Sequence, residues 1–146
     1  MSLKVRLMAD MKSALKEKNV LKKATITMVR AAILQKEKDE RIELDDDGVI
    51  GVIAKEVKQR KDSIPEYERG NRPDLVDKLN LEVDILMEYL PQQLTENEVD
   101  TIVTQTIIEV GANGIKDMGK VMGALMPKLK GRADGKLVNQ LVKKHL

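Results

Sequence analysis

The sequence predicts an all-α protein with four helices followed by three. Two observations lead to this fold class. Apolar residues recur every three or four positions through most of the 146-residue chain, which is the spacing of amphipathic helices. No stretch of four or more residues alternates apolar and polar side chains as a strand does. Capping residues, glycines and prolines divide the pattern into seven segments of helical length.

The first two predicted helices form an amphipathic pair. The first, over about 3–18, follows Ser2, a competent N-cap, and Asn19 is expected to end it. Its apolar positions are Leu3, Leu7, Met11 and Leu15. The second, over about 22–40, has a wide apolar stripe and is expected to be the most buried helix. That stripe consists of Ile26, Val29 and Ile33, widened by Met28, Ala31, Ala32 and Leu34.

The third predicted helix follows the acidic loop at 45–47. Its first apolar residues are Val49, Ile53 and Val57. Pro65 removes a backbone donor, and Ser63 and Glu66 fit a capping box, so the helix is expected either to kink or to restart there, and a kink is favoured. Four cations on the other faces are interpreted as an exposed, solvated surface: Lys55, Lys58, Arg60 and Lys61.

The fourth predicted helix has the cleanest amphipathic pattern. It carries Pro73 in its first turn and is expected to end before Pro91. Its apolar face comprises Val76, Leu79, Val83, Leu86 and Leu90. Carboxylates such as Glu82 and Glu88 are interpreted as ordinary exposed helix residues.

The last three predicted helices begin at side chains that accept hydrogen bonds from the first turn. Thr95 and Glu98 form a capping box before the fifth helix, which Gly111 is expected to close. Asp117 and Asp134 are expected to cap the sixth and seventh helices.

A boundary between two domains is predicted at 91–94, between two well-marked helices. The N-terminal helical domain then covers 1–93 and a three-helix C-terminal domain covers 94–146. A compact chain of this length buries roughly 68–70% of its extended surface, so a substantial core is available.

The composition excludes several classes of function. The chain has no cysteine and one histidine, His145, so we expect no thiol nucleophile, no thiolate zinc site and no Ser-His-Asp triad. No P-loop or dinucleotide fingerprint occurs, and we predict no cofactor, no metal and no independent catalysis. Two tyrosines are the only aromatic residues, which argues against recognition by base stacking. Apolar runs are far shorter than the ~20 residues of a membrane span, and the start lacks a secretory signal. We therefore predict a cytoplasmic protein without a membrane partner.

Charge is distributed unevenly along the chain. Residues 1–93 are neutral, whereas 94–115 carry four acidic residues and no Lys or Arg. Residues 116–146 carry eight Lys and Arg against two Asp, a net charge of +6. Glycines lie among these cations, so the backbone could approach a polyanion closely. One alternative is a solvated helix face with loop glycines. Another is that the spacing of Gly119 and Gly123 allows two helices to pack tightly.

Four long motifs resemble those of the YqeY-like proteins, which share a tail domain with the GatB subunit of tRNA-dependent amidotransferases. The motifs are KEVKQRKDS at 55–63, NRPDLVDK at 71–78, YLPQQL at 89–94 and DMGKVMGALMPKLKGRADG at 117–135. The resemblance implies an N-terminal helical domain followed by a three-helix tail that helps to hold the body of tRNA. The tail pattern corresponds to Gly119, Gly123, Lys128, Gly131, Ala133, Leu141 and Leu146, while Pro127 suits the YqeY-like branch.

With this resemblance, the leading hypothesis is a non-catalytic accessory module that binds tRNA or a tRNA-charging assembly, such as an amidotransferase or an aminoacyl-tRNA synthetase. The candidate tRNA-binding residues are Lys116, Gly119, Lys120, Lys128, Lys130, Gly131, Arg132 and Lys136. The family's carbon–nitrogen ligase label, with glutamine as amido donor, is not expected to describe an activity of this chain. Two alternatives stay open: an amidotransferase accessory subunit acting in trans, and a helical protein-interaction module. The latter would use the N-terminal helices or Met118, Met122 and Met126, although methionines at that spacing favour a core.

Overall fold

In a computed structural model, which describes residues 2–146, the chain is all-α, and the predicted fold class is confirmed. The helices are α1 (Leu3–Lys16), α2 (Val20–Glu40), α3 (Asp46–Arg69), α4 (Pro73–Met87), α5 (Glu96–Val110), α6 (Met118–Leu129) and α7 (Gly135–His145). A 3-10 turn, Ile115–Asp117, precedes α6. Residues 2–146 contain no strand.

The chain divides into two compact units. The first ends at Leu90 and contains α1 to α4, and the second is Pro91–Leu146 with α5 to α7. The assignment of 1–93 and 94–146 to a YqeY-like domain and a tail-like domain stays a prediction, since compactness does not identify a domain's family.

The core of the first unit collects aliphatic side chains from all four helices. The predicted stripe of α2 is confirmed at its centre, where Ile26, Val29 and Ile33 are buried. The prediction that Met28 and Leu34 widen this buried stripe is wrong, since each side chain is 55% exposed. At about 100° per residue, Met28 lies some 200° around the helix from Ile26, so it cannot share the buried face.

Most predicted helix caps are confirmed. The Ser2 side chain accepts a hydrogen bond from the Val5 amide, the capping box of Thr95 and Glu98 is formed, and Asp134 caps α7. Gly111 closes α5 in the left-handed conformation with a φ of 67°. These side chains satisfy amides that have no partner within the helix.

Two predictions about helix ends are wrong, and one residue has a second role. Asn19 helps to end α1, because its amide donates to the Ala14 carbonyl at 2.9 Å, and it also begins α2, because its side chain accepts a hydrogen bond from the Lys22 amide at 3.2 Å. Ser63 does not cap: its hydroxyl donates to the Gln59 carbonyl within α3, which continues through Pro65. Asp117 makes no cap hydrogen bond to α6.

A buried ion pair joins α3 to α4 and corrects the interpretation of both residues as exposed. Arg60 is 6% exposed and Glu82 is 9% exposed. The Arg60 Nε donates to Glu82 Oε2 at 2.9 Å, and its Nη1 donates to Glu56 Oε2 at 2.8 Å. Two carboxylates thus share one guanidinium, which compensates the cost of removing the three charges from water.

Replacing Arg60 with Met keeps the side-chain stem and leaves two carboxylates without their cation. We expect the free energy of unfolding to fall by about 3–5 kcal/mol. Urea unfolding followed by circular dichroism measures this, with Lys61→Met on the exposed side of the same helix as control. A loss no larger than that of the control, expected within about 0.5 kcal/mol of the native protein, would contradict the role of this pair.

Candidate nucleic-acid interface

Helix α6 buries one face and exposes the other. Val121, Leu125 and Leu129 are buried in the core of the second unit. Gly119 and Gly123 lie four residues apart on the exposed side. The sequence places Met126 among core methionines, but it is 53% exposed, whereas Met118 and Met122 do pack against the core. Met126 follows Met122 by four residues, so helical spacing alone does not distinguish it from the two methionines that pack.

Neither exposed glycine of α6 is explained by packing within the protein. A β-carbon added to Gly119 or Gly123 would meet no atom within 4 Å. The tight helix packing considered as an alternative for this pair is therefore absent from residues 2–146. Each glycine costs roughly 0.5–1 kcal/mol relative to alanine inside a helix. The face consequently presents bare backbone to solvent at a cost to helix stability.

Three of the predicted cations accompany this face. Lys116 lies on the 3-10 turn, Lys120 in the first turn of α6, and Lys130 at its C-cap, and all three are exposed. None of them forms an ion pair with the residues that the structure describes. We call Lys116, Lys120 and Lys130, together with Gly119 and Gly123, the basic strip.

Lys128 has partners within the protein. Its Nζ donates to the Thr106 hydroxyl at 3.1 Å and to Glu109 Oε2 at 3.0 Å, both on α5. Thr106 is fully buried, and the bond holds Lys128 toward α5. The structure thus separates Lys128 from the basic strip and gives it a role in joining α5 to α6.

Gly131 and Arg132 form the turn after α6. Gly131 has a φ of 73°, in the left-handed region that favours glycine. Its carbonyl accepts a hydrogen bond from Gln93 Nε2 at 2.6 Å, and the Arg132 carbonyl accepts one from the Leu94 amide at 2.9 Å. The end of the YLPQQL motif and the end of the 117–135 motif therefore meet through hydrogen bonds to backbone carbonyls.

The remaining candidate, Lys136, is exposed and lies in the first turn of α7, where its amide donates to the Asp134 cap at 2.9 Å. The loop before α6 is closed by Asp117, whose carboxylate accepts a hydrogen bond from the Asn113 amide at 2.9 Å. This local bond explains why Asp117 does not cap the helix.

The basic strip is elongated. With a rise of about 1.5 Å per residue, the fourteen positions from Lys116 to Lys130 separate the two cations by about 20 Å. Cations spaced along a helix match the repeated charges of a polyanion better than those of a single small anion. Acidic residues of this unit lie mainly on α5, where Glu109 pairs with Lys128, and His145 Nε2 is 2.6 Å from Asp100 Oδ1.

Residues 2–146 contain no group of three or more His, Cys, Asp or Glu side chains arranged to hold a metal ion. Over the same residues, no helix combines the length and apolar character needed to cross a membrane.

Known proteins resemble this chain over most or part of its length. A family model described as Yqey-like protein matches residues 4–146. "Altered inheritance of mitochondria protein 41, mitochondrial" of Pyrenophora tritici-repentis is 34% identical over 88% of this chain and 71% of its own length. The protein of the same name from Kluyveromyces lactis is 40% identical over 69% of this chain and 56% of its own length. A glutamyl-tRNA(Gln) amidotransferase subunit from Thermococcus gammatolerans is 44% identical over 41% of this chain and 10% of its own length.

The chain thus spans between about half and 71% of the length of the mitochondrial relatives and a small part of the amidotransferase subunit. The family resemblance and the relation to tRNA-dependent amidotransferases are confirmed. The predicted cytoplasmic location is contradicted by the same comparison, since the fungal relatives are named as mitochondrial proteins.

Two glycine-to-alanine substitutions should change stability in opposite directions. Gly131→Ala places a β-carbon on a left-handed residue and should lower the free energy of unfolding by about 1–2 kcal/mol. Gly119→Ala meets open space in a helix and should raise it by about 0.5–1 kcal/mol. Thermal and urea unfolding of both variants would measure the difference. A destabilised Gly119→Ala protein would show that this glycine serves packing.

Proposed function

Because this chain belongs to the Yqey-like protein family, we propose that it is a non-catalytic accessory module that binds tRNA through the basic strip. The observation that carries the proposal is a combination of two features. Three exposed lysines have no ion-pair partner among the described residues, and two helix glycines beside them pack against nothing there. Lysines attract phosphates over a distance, and bare helix backbone permits a nucleic-acid strand to approach closely.

The named relatives support tRNA as the polyanion. The Thermococcus gammatolerans protein is named for glutamyl-tRNA(Gln), and a Methanococcus maripaludis protein of the same name is 33% identical over 62% of this chain. Each match covers 15% or less of the amidotransferase subunit. A module of this size would contribute binding to such an assembly, while the chemistry would reside in other parts of it.

Recognition would depend on phosphates and on the shape of the tRNA. Of the two tyrosines, Tyr89 is 3% exposed and its hydroxyl donates to Asp10, so its ring cannot stack on a base. The other tyrosine, Tyr67, belongs to α3 of the first unit and is not part of the basic strip. A protein that recognises the phosphates and the overall shape of tRNA binds many tRNAs with similar affinity.

The contacts revise the contributions of the predicted residues. We assign phosphate contact to Lys116, Lys120 and Lys130, and close backbone approach to Gly119 and Gly123. Four other candidates make hydrogen bonds within the fold. Lys128 bonds to α5, the carbonyls of Gly131 and Arg132 bond to the 91–94 segment, and the Lys136 amide bonds to the α7 cap. Arg132 and Lys136 also contribute two of the eight positive charges of residues 116–146, which carry the strip.

We also propose that the chain associates with a specific protein assembly. The relation to amidotransferase subunits favours association with a tRNA-dependent amidotransferase, as an accessory subunit acting in trans. This form of the proposal requires co-purification with the catalytic subunits and an increase in their rate at subsaturating tRNA.

Charge reversal tests the location of the tRNA-binding surface. We expect Lys116→Glu/Lys120→Glu/Lys130→Glu to weaken binding of bulk tRNA by at least about tenfold, because three phosphate contacts become repulsive. The matched control is Lys55→Glu/Lys61→Glu/Lys78→Glu, which makes the same change of charge at exposed positions of the first unit. Electrophoretic mobility shift and fluorescence anisotropy would measure both.

Gly119→Ala/Gly123→Ala separates binding from stability. This variant should be at least as stable as the native protein and yet bind tRNA more weakly, because two methyl groups hold the backbone away from the phosphates. Equal loss of binding in the two charge-reversal variants, or unchanged binding in all three, would contradict the proposed interface.

A further inference from the structure

A groove runs between α1 and α2 in the first unit, remote in sequence from the basic strip. Its volume is about 320 Å³. Apolar side chains dominate its walls, with charged groups at the rim. The lining includes Lys4, Val5 and Met8 of α1 and Arg30, Leu34 and Glu37 of α2.

The apolar surface extends outward from the groove. Val5 is 54% exposed and Leu34 is 55% exposed, although both line it. Leu15, 58% exposed, follows Met8 by seven residues, or two helical turns, and so lies on the same side of α1. The row from Val5 to Leu15 is about 15 Å long. Lys12 is exposed on the same side of α1 between Met8 and Leu15, so the row carries one cation among its apolar residues. Grouped exposed apolar side chains indicate a binding surface more strongly than scattered ones do.

The helices that form the groove are basic. Residues 3–40, which cover both helices and the link between them, contain ten Lys and Arg against five Asp and Glu, a net charge of +5. The rest of 1–93 carries the compensating excess of acid. Two of the ten cations pair within the segment, Lys4 with Glu37 and Arg6 with Asp10.

The three charged groups at the groove's rim differ in their partners. Glu37 is already satisfied: it pairs with Lys4 and accepts a hydrogen bond from the Leu44 amide at 2.8 Å. Both interactions hold the pKa of Glu37 below its usual range. The Arg30 guanidinium contacts the Met11 sulfur at 3.4 Å, a weak acceptor, and no carboxylate among the described residues pairs with it.

We propose that this groove docks an acidic amphipathic helix of a partner protein. The partner's apolar residues, at spacing i, i+3, i+7 and i+10, would cover Val5, Met8 and Leu34, and a carboxylate would pair with Arg30. Concave shape, helical length and uncompensated positive charge together match this occupant. A lipid surface would suit a convex apolar face, and a nucleic acid would leave the apolar row uncovered.

A designed peptide tests the inference on the full-length protein. The probe is a fluorescein-labelled helical peptide with Leu at i, i+3, i+7 and i+10 and Glu on both flanks, followed by anisotropy. We expect saturable binding that Leu34→Glu and Arg30→Glu each weaken by at least about tenfold. Met28→Glu is the matched control, because Met28 has the same 55% exposure on the same helix but does not line the groove.

Two comparison ligands distinguish other occupants. A peptide with Lys in place of every Glu should bind at least about tenfold more weakly, and vesicles of anionic phospholipid should not compete. No binding of the acidic peptide up to millimolar concentration would overturn the proposal. Equal binding of the Lys peptide, equal loss in Met28→Glu, or displacement by vesicles would also overturn it. None of these outcomes bears on tRNA binding by the second unit, so the two proposals fail separately.

Discussion

Helix α6 can bury only one face, because α5 and α7 both pack on the side that carries Val121, Leu125 and Leu129. The proposed interface depends on this constraint. With these apolar residues committed to the core, the exposed side of the helix carries Gly119, Lys120 and Gly123 together with Met126 and Pro127. A helix of twelve residues with two exposed glycines is weak by itself. Its stability comes from core packing and from the Lys128 bonds to α5. The residues of the outer face are therefore not needed for core packing and are available for the proposed binding.

The turn after α6 shows how the family motifs cooperate. Gly131 supplies a left-handed residue, and the Gly131 and Arg132 carbonyls then accept hydrogen bonds from Gln93 and Leu94. Gln93 and Leu94 end the YLPQQL motif, and Tyr89 begins it. The Tyr89 hydroxyl donates to Asp10, and the Arg6 guanidinium carbon lies 4.6 Å from the centre of the Tyr89 ring. Burial and the Asp10 bond raise the pKa of the Tyr89 hydroxyl, which keeps it protonated as a donor. The motif is thus a structural segment anchored at both ends, and no catalytic role is needed to explain its residues.

Features set by neighbouring residues could be predicted from the sequence, and features set by distant ones could not. Helical periodicity and the Thr95 capping box are local, so they predict the helices and the α5 start. The burial of Arg60 depends on Glu82, 22 residues away, and a spacing pattern gives no sign of it. Lys128 could not be separated from Lys120 and Lys130 because its partners, Thr106 and Glu109, lie on another helix. The predicted location is wrong for a different reason. Composition indicates whether a chain folds in water, and folding in water is possible in every aqueous compartment of a cell.

In the proposed interface, phosphate contacts along one face of α6 hold tRNA. The most direct measurement is the dissociation constant of the native protein for bulk tRNA across a series of salt concentrations. Three lysine contacts predict that the logarithm of the binding constant falls with log salt at a slope of about −2 to −3, with little change between tRNA species. Binding that is unaffected by salt, or no binding even at low salt, would contradict the claim and would favour recognition of a protein partner instead.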